Sequence, residues 1–172
     1  LPPTANRQTP TFHGHLLTTK IEHDAILKAF QALEKEGFEA TYLDVSPEGI
    51  VDPADVEKAL RPETILVSFG YANSEIGVIQ PIAEIAKFVH NFPSKRSTLN
   101  AQPFFHTDAS QAAGFLDLDV QKLGVDLMTL NSAKIYGPKG VACVYVRRGV
   151  RLEPVIRGGG QERGLRSGTE NV

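Results

Sequence analysis

Short apolar runs alternate with amphipathic stretches along most of the 172-residue chain. This alternation is typical of βα units that assemble into a parallel sheet. The strands that it predicts are His15–Thr19 and residues 38–43, 64–69, 104–107, 126–130 and 141–146. Residues 64–69 are β-branched or apolar throughout most of their length, which indicates a strand buried on both faces. The predicted fold is therefore of the α/β class, with three αβα layers and a mostly parallel sheet.

Three helices are predicted between these strands. The first covers about residues 24–36 and ends at Gly37, because a glycine commonly follows a helix. Its apolar face consists of Ile26, Leu27, Phe30 and Leu33. Asp52 is a candidate N-cap for a second helix that ends near Leu60. The third helix begins at Pro81 and continues to about Val89.

Composition excludes several classes of function. Hydrophobic residues make up 41% of the chain and charged residues 22%, the balance of an ordinary soluble domain. A net charge of -2 gives no basic surface for nucleic acid. No apolar run approaches the roughly 18 residues that span a bilayer, and the first residues lack the apolar core of a signal peptide. We therefore expect a single cytoplasmic domain that binds neither nucleic acid nor membrane.

Two local features change this picture little. Residues 91–103 are polar and contain two prolines, and we predict a surface loop insertion there. The single cysteine, Cys143, excludes an intrachain disulfide and a cysteine metal cluster. Because Cys143 lies within an apolar run, we predict a small buried hydrophobic residue that is a poor nucleophile. No metal site is predicted.

Asp108 follows the predicted strand 104–107, and open α/β sheets place their ligand sites at the carboxyl ends of strands. Gln111 lies three residues later, close enough to face the same cavity. An aspartate in this position is also a common helix N-cap, so both interpretations stay open for Asp108. His106 is predicted to pack within the strand.

Lys134 comes just after another predicted strand, in a turn of small residues. A lysine in such a turn is usually solvated. Small neighbours also allow a bulky cofactor to approach, and a lysine that forms a Schiff base needs partial desolvation. Asp108 and Lys134 would together supply what pyridoxal phosphate requires, an acid for the pyridine nitrogen and an amine for the carbonyl carbon.

Four stretches together are similar to the class V aminotransferase family of fold-type I pyridoxal-phosphate enzymes. They are residues 18–27, 65–82, 105–114 and 134–172. Within that family the resemblance is to cysteine desulfurases of the iron–sulfur cluster assembly type. It implies that residues 1–172 are the central and C-terminal part of the large, cofactor-binding domain, with the N-terminal segment and the C-terminal small domain absent.

The resemblance implies a role for each matching residue. Lys134 would form the Schiff base with pyridoxal 5'-phosphate, Asp108 would contact the pyridine nitrogen, and Gln111 would contact the ring hydroxyl. His23 would stack on the ring and move protons, although a histidine there also suits the start of a helix. Thr169 would reach the cofactor phosphate of the other subunit in a homodimer.

The chain departs from the family pattern beside the lysine and in one further motif. Where the family has Ser-(Gly or Ala)-His-Lys, this chain has Asn131, Ser132 and Ala133 before the lysine. Asn131 stands at the serine position and Ser132 offers a displaced hydroxyl, so we expect weaker or altered phosphate binding. In the family's Asn-Asn-Glu-Ile-Gly motif, Asn73 is kept, but Ser74 replaces the asparagine that contacts the ring hydroxyl and the substrate carboxylate.

The implied activity converts L-cysteine into L-alanine and passes the sulfur to an enzyme cysteine, then to an acceptor or iron–sulfur scaffold protein. The family's persulfide cysteine and its substrate-binding arginine have no counterpart here. We therefore expect the chain alone to be inactive and poorly stable, with exposed apolar faces. The alternatives are another class V enzyme, either an aminotransferase or a selenocysteine lyase, and a catalytically inactive truncated paralogue. Retention of His23, Asp108, Gln111 and Lys134 together favours an enzyme.

Overall fold

The computed structural model describes residues 14–93 and 102–169. In these two ranges the elements follow one another as β1 His15–Thr19, α1 Asp24–Lys35, β2 Glu39–Leu43, α2 Pro53–Ala59, β3 Thr64–Gly70, β4 Ala72–Asn73, β5 Val78–Ile79, α3 Ile82–Asn91, β6 Phe104–Asp108, α4 Val120–Leu123, β7 Leu127–Asn131 and β8 Ala142–Val146. Short 3-10 turns at Ser132–Lys134 and Glu162–Gly164 complete the set.

Six strands form one sheet in the order β2-β1-β3-β6-β7-β8. The first five run parallel, and β8 pairs with β7 in the antiparallel direction. The prediction of an α/β fold with a mostly parallel sheet is confirmed. Because the parallel strands point the same way, their carboxyl ends meet at one edge, where Gly70 is the register partner of Asp108 and Asp108 that of Thr129.

The main hydrophobic core lies between one face of the sheet and the helices α2 and α3. Its fully buried members include Val67 and Phe69 of β3, Phe105 of β6, and Ile82 and Ile85 of α3. Burial of such side chains stabilises the fold by about 1.5–3 kcal/mol each.

Helix α1 covers the opposite face of the sheet. Its buried Phe30 stands outside the main core cluster, with its ring 6.3 Å from that of Tyr42 on β2. Leu43, the next residue of β2, packs against the core cluster, and successive side chains of a strand point to opposite faces. Helices therefore lie on both faces of the sheet, as the three-layer prediction requires.

The predicted strands and helices are confirmed to within two residues at their ends. The hairpin of β4 and β5 and helix α4 were not predicted, because segments of two to four residues are too short to show a period. Most of the predicted loop insertion, residues 94–101, lies outside the described residues. None of the described helices is long and apolar enough to cross a bilayer.

Cys143 contradicts its prediction because its side chain is exposed. The residue lies on β8, an edge strand whose first three residues are all exposed in the described structure. The apolar composition of this run indicates a covered strand, but composition does not show whether a layer lies over the edge. Other apolar side chains are exposed as expected, among them Phe115 at 74% and Val155 at 96%.

A cavity mutation in the core is the direct test of this packing. Ile85→Ala should lower the free energy of unfolding by about 2–5 kcal/mol, because Ile85 is completely buried and its neighbours relax only partly. Ile79→Ala makes the same change at a side chain that is 52% exposed and should cost less than about 1 kcal/mol. Urea unfolding followed by circular dichroism measures both values. Equal effects of the two substitutions would contradict the assignment of the core.

Candidate active site

A cavity of about 700 Å³ lies at the carboxyl edge of the sheet. Its walls come from the segment after β1 (residues 20–25), from Gly70 at the end of β3, from the β4–β5 hairpin, and from residues that follow β6 and β7. The volume is within the range of about 300–1,000 Å³ typical of small-molecule sites. Seven of the predicted site residues line it, namely His23, Asn73, Ser74, Asp108, Gln111, Asn131 and Lys134.

Asp108 is the last residue of β6 and acts both as a local cap and as a wall of the cavity. Its Oδ1 accepts hydrogen bonds from the backbone N–H of Ser110 (3.0 Å) and from the hydroxyl of Thr129 (3.2 Å). No donor within the described residues contacts Oδ2. The two interpretations of Asp108 are therefore compatible, since one carboxylate oxygen orients the side chain and the other is free for a ligand.

Lys134 ends the 3-10 turn Ser132–Lys134, and Asn131 holds this turn in place. The Oδ1 atom of Asn131 accepts a hydrogen bond from the backbone N–H of Ala133 (3.0 Å), so the amide nitrogen of Asn131 keeps its two donors. Lys134 is exposed along one wall of the cavity. A lysine amine thus lies at the same edge of the sheet as the carboxylate of Asp108.

The hydroxyl of Ser132 is already used within the turn. It lies within hydrogen-bond distance of the carbonyl oxygens of Pro138 and Val141, at 2.8 Å from the latter. A hydroxyl has one proton to donate, and an anion requires donors. In this conformation Ser132 is not a lining residue of the cavity and has no proton left for a phosphate group.

His23 is the N-cap of α1 and also lines the cavity. Its Nδ1 accepts a hydrogen bond from the backbone N–H of Ala25 (3.1 Å), which places the proton of the neutral ring on Nε2. The helix-start interpretation of this histidine is therefore correct, and it leaves the other ring nitrogen for a ligand.

The remaining predicted site residues take up different positions. Asn73 and Ser74 lie in the β4–β5 hairpin and line the cavity. The amide of Asn73 donates to the carbonyl oxygen of Ile21 (2.9 Å) and accepts from the N–H of Glu75 (2.8 Å), so it joins the hairpin to the segment after β1. Thr169 is exposed and is not among the residues that line this cavity.

His106 packs within β6 as predicted. Its ring is buried, and its Nδ1 lies 2.8 Å from the hydroxyl of Ser68 on β3. Burial lowers the pKa of His106, and the negative charge of Asp108 opposes this effect only in part. The neutral ring therefore belongs to the packing behind the cavity.

Glu22 lines the cavity and was not among the predicted site residues. Its carboxylate accepts hydrogen bonds from the hydroxyl of Thr19 (2.7 Å) and from the backbone N–H of Gly70 (2.8 Å). Burial raises the pKa of Glu22 to about 7, these two hydrogen bonds lower it, and the charge of Asp108 raises it further. The same rule that selects Asp108 would have found Glu22, since both follow a parallel strand at its carboxyl end.

A family model for class V aminotransferases matches residues 4–172. Among curated proteins, the chain is 48% identical to the cysteine desulfurase IscS of Dictyoglomus turgidum over 158 residues, which is 92% of this chain and 38% of the relative. It is 50% identical to the mitochondrial cysteine desulfurase of Saccharomyces cerevisiae over 157 residues, 90% of this chain and 30% of the relative. The chain thus spans less than two fifths of the length of these relatives.

Solved structures resemble the chain over the same extent. A structure described as SspA in complex with cysteine has a TM-score of 0.83 and 40% identity, covering 92% of this chain and 44% of that one. A NifS-like protein has a TM-score of 0.85 and 38% identity, covering 94% of this chain and 42% of that one. The fold and the local sequence therefore point to the same group of proteins.

The raised pKa of Glu22 predicts how stability depends on pH. A folded-state pKa of about 7 against an ordinary value of 4.5 means that stability is fully present below pH 4.5 and is lost as the pH rises through 7. Glu22→Gln removes this loss, so between pH 5 and pH 8 the variant should gain roughly 2 kcal/mol relative to wild type.

Urea unfolding of the cofactor-free protein at pH 5, 6, 7 and 8 measures this gain. Glu57→Gln, which makes the same chemical change at an exposed position of α2, serves as the control and should follow the wild-type pH dependence. If Glu22→Gln and wild type lost stability in parallel over this range, the raised pKa would be refuted.

Proposed function

The chain belongs to the class V aminotransferase family, and from this membership we propose that the protein is a pyridoxal-phosphate-dependent cysteine desulfurase. The observation that carries the proposal is the presence of Asp108, Gln111, Lys134 and His23 around one cavity. Both curated relatives described above are cysteine desulfurases, and one of the similar structures is a complex with cysteine. The substrate proposed for the whole protein is L-cysteine.

The donor set of the cavity fits the ring of the cofactor. Oδ2 of Asp108 is free to accept the proton of a pyridine N–H, and a carboxylate is the group that keeps such a nitrogen protonated. Gln111 brings an amide that can pair with a ring hydroxyl, and His23 brings a flat ring with one unengaged nitrogen. When bound, pyridoxal phosphate supplies an electron sink for the substrate carbon atoms.

Lys134 is proposed to bind the cofactor, and both Lys134 and His23 are proposed to move protons. The amine of Lys134 is the nucleophile that would hold the cofactor, and as a free amine it could also serve as a base. The Nε2 atom of His23 is the unengaged nitrogen of its ring and is suited to hold or release a proton beside it. In the overall reaction the carbon–sulfur bond of L-cysteine breaks, a thiolate takes the sulfur, and the remaining carbon receives a proton to give L-alanine.

Phosphate binding is proposed to depend on the amide of Asn131. This residue stands where the family has a serine, and it lines the cavity next to Lys134. Its amide nitrogen keeps two donors, whereas the Ser132 hydroxyl is used within the turn. Thr169 keeps its proposed role toward the cofactor of a second subunit. Its place outside this cavity is compatible with that role.

The wider assignments remain proposals for the whole protein. They comprise the partial large domain over residues 1–172, a homodimer, a sulfur acceptor or iron–sulfur scaffold as partner, and a cytoplasmic location. The mitochondrial relative supports a second location, since the same enzyme class operates in that compartment in yeast. Cys143 is exposed but does not line the cavity, and we assign it no role in taking the sulfur.

Cofactor attachment is tested by absorbance. We expect a visible absorbance band when pyridoxal phosphate is mixed with the protein that contains this chain. Lys134→Ala should abolish the band. Among the described residues only one other lysine, Lys20, lines the cavity, and its amine pairs with Asp44. Lys139→Ala changes a nearby exposed lysine outside the cavity and should keep the band. A band that persists in Lys134→Ala would refute the assignment, as would its absence from wild type at every cofactor concentration.

The reaction itself is tested by its products. With L-cysteine and a reducing thiol, the cofactor-loaded protein should form L-alanine and sulfide in equal amounts. An aminotransferase would instead form a keto acid, and a selenocysteine lyase would act on L-selenocysteine in preference to L-cysteine. Product analysis by chromatography and a sulfide assay distinguishes these outcomes. Cofactor binding without any of these products would identify an inactive paralogue.

A further inference from the structure

Glu22 connects the ends of β1 and β3 by hydrogen bonds at the edge of the cavity. It follows β1 by three residues, and its two carboxylate oxygens accept one hydrogen bond each. The Thr19 hydroxyl at the end of β1 is 2.7 Å away, and the backbone N–H of Gly70 at the end of β3 is 2.8 Å away. One side chain therefore connects neighbouring strands at the edge where the cavity opens.

Gly70 leaves room for this carboxylate at the end of the strand that pairs with β6. Gly70 is the register partner of Asp108 in the pairing of β3 with β6. A Cβ atom at Gly70 would lie 3.1 Å from Oε2 of Glu22, closer than most real contacts, so the absence of a side chain leaves room for the carboxylate. Glu22 is hydrogen-bonded to Gly70, Asp108 is the register partner of Gly70, and both carboxyl groups line the cavity.

The other charged groups of the cavity leave Glu22 without a cationic partner among the described residues. Lys20 pairs with Asp44 at 2.6 Å, on the outside of the same segment. The remaining ionisable residues that line the cavity are His23, Asp24, Glu75, Asp108 and Lys134. No ion pair of the described residues involves Glu22, so a positive group that enters the cavity next to it would stabilise its ionised form.

We propose that Glu22 is a positioning residue for the cofactor ring. Its carboxylate fixes Thr19 and Gly70 at the edge of the cavity. It also adds a second negative charge near Asp108, which strengthens the interaction of Asp108 with a protonated pyridine nitrogen. This inference rests on the proposed function, because it presumes that pyridoxal phosphate occupies the cavity. Glu22 acts through Asp108 and the backbone, without contact to the reacting atoms.

The physical reason is mutual stabilisation of opposite charges. A protonated ring nitrogen favours ionised carboxylates nearby, and by linkage the ionised carboxylates favour the protonated ring. Glu22 has a pKa of about 7, so it changes from mostly protonated at pH 6 to mostly ionised at pH 8. The contribution of Glu22 to cofactor affinity should therefore increase as the pH rises from 6 to 8.

The test measures the dissociation constant of pyridoxal phosphate at pH 6, 7 and 8 by absorbance titration. The cofactor phosphate also titrates over this range, so the informative result is the difference in dissociation constant between variants at each pH. Glu22→Gln keeps the shape and the acceptor for the Gly70 N–H but removes the charge. We expect it to weaken binding by about tenfold at pH 8 and by about twofold or less at pH 6. Glu57→Gln, the remote control, should match wild type at every pH.

Thr19→Val provides a second test that does not remove the carboxylate. The Thr19 hydroxyl lowers the pKa of Glu22, so its loss should move the Glu22-dependent rise in affinity to higher pH. Valine has nearly the same shape as threonine, which suits this fully buried position. A residue with a purely structural role would change affinity equally at all pH values.

The outcomes separate the two proposals. If wild type binds the cofactor through Lys134 and Glu22→Gln has the same pH dependence, the role of Glu22 is refuted and the proposed function stands. If the rise in cofactor affinity with pH occurs at the same pH in Thr19→Val as in wild type, the role of Glu22 is also refuted. This second test decides the question if Glu22→Gln does not fold. If wild type does not bind pyridoxal phosphate at all, both the role and the proposed function are overturned.

Discussion

The parallel pairing of β3 with β6, and of β6 with β7, underlies the part of the site around Asp108. These pairings place the carboxyl ends of three strands side by side, with Gly70, Asp108 and Thr129 in register. Residues that are far apart in sequence then line one cavity, because each follows the end of a strand. The core beneath keeps the register, since a shift by one residue would turn Phe105 out of the core and His106 into it.

The polar side chains that line the cavity are unevenly distributed. On the side proposed for the cofactor ring, Asp108, Gln111 and His23 supply an acid, an amide and a flat ring. On the side proposed for the cofactor phosphate, Ala133 has no side-chain donor and the Ser132 hydroxyl is engaged with backbone carbonyls, which leaves the amide of Asn131. The chain spans less than two fifths of its curated relatives, and Thr169 lies outside the cavity.

Glu22 illustrates why a binding site lowers stability. A carboxyl group that is partly desolvated and next to another carboxylate destabilises the folded state once it ionises. Two hydrogen bonds reduce this cost without removing it. The arrangement is unfavourable for an empty cavity, and a positively charged ligand would offset its cost, which is the usual relation between stability and function at binding sites.

Local patterns in the chain were enough to establish the fold class, the positions of the longer strands and helices to within two residues, and the places of Asp108 and Lys134 at or just after strand ends. These features follow from periodicity and from turn residues, which are properties of neighbouring positions. Three other features emerged only from the folded molecule: Cys143 is exposed on an edge strand, the Ser132 hydroxyl is used within its own turn, and Glu22 is hydrogen-bonded to Gly70, the register partner of Asp108. Each of these depends on which segments become neighbours in space, and the pattern of residues along the chain does not carry that information.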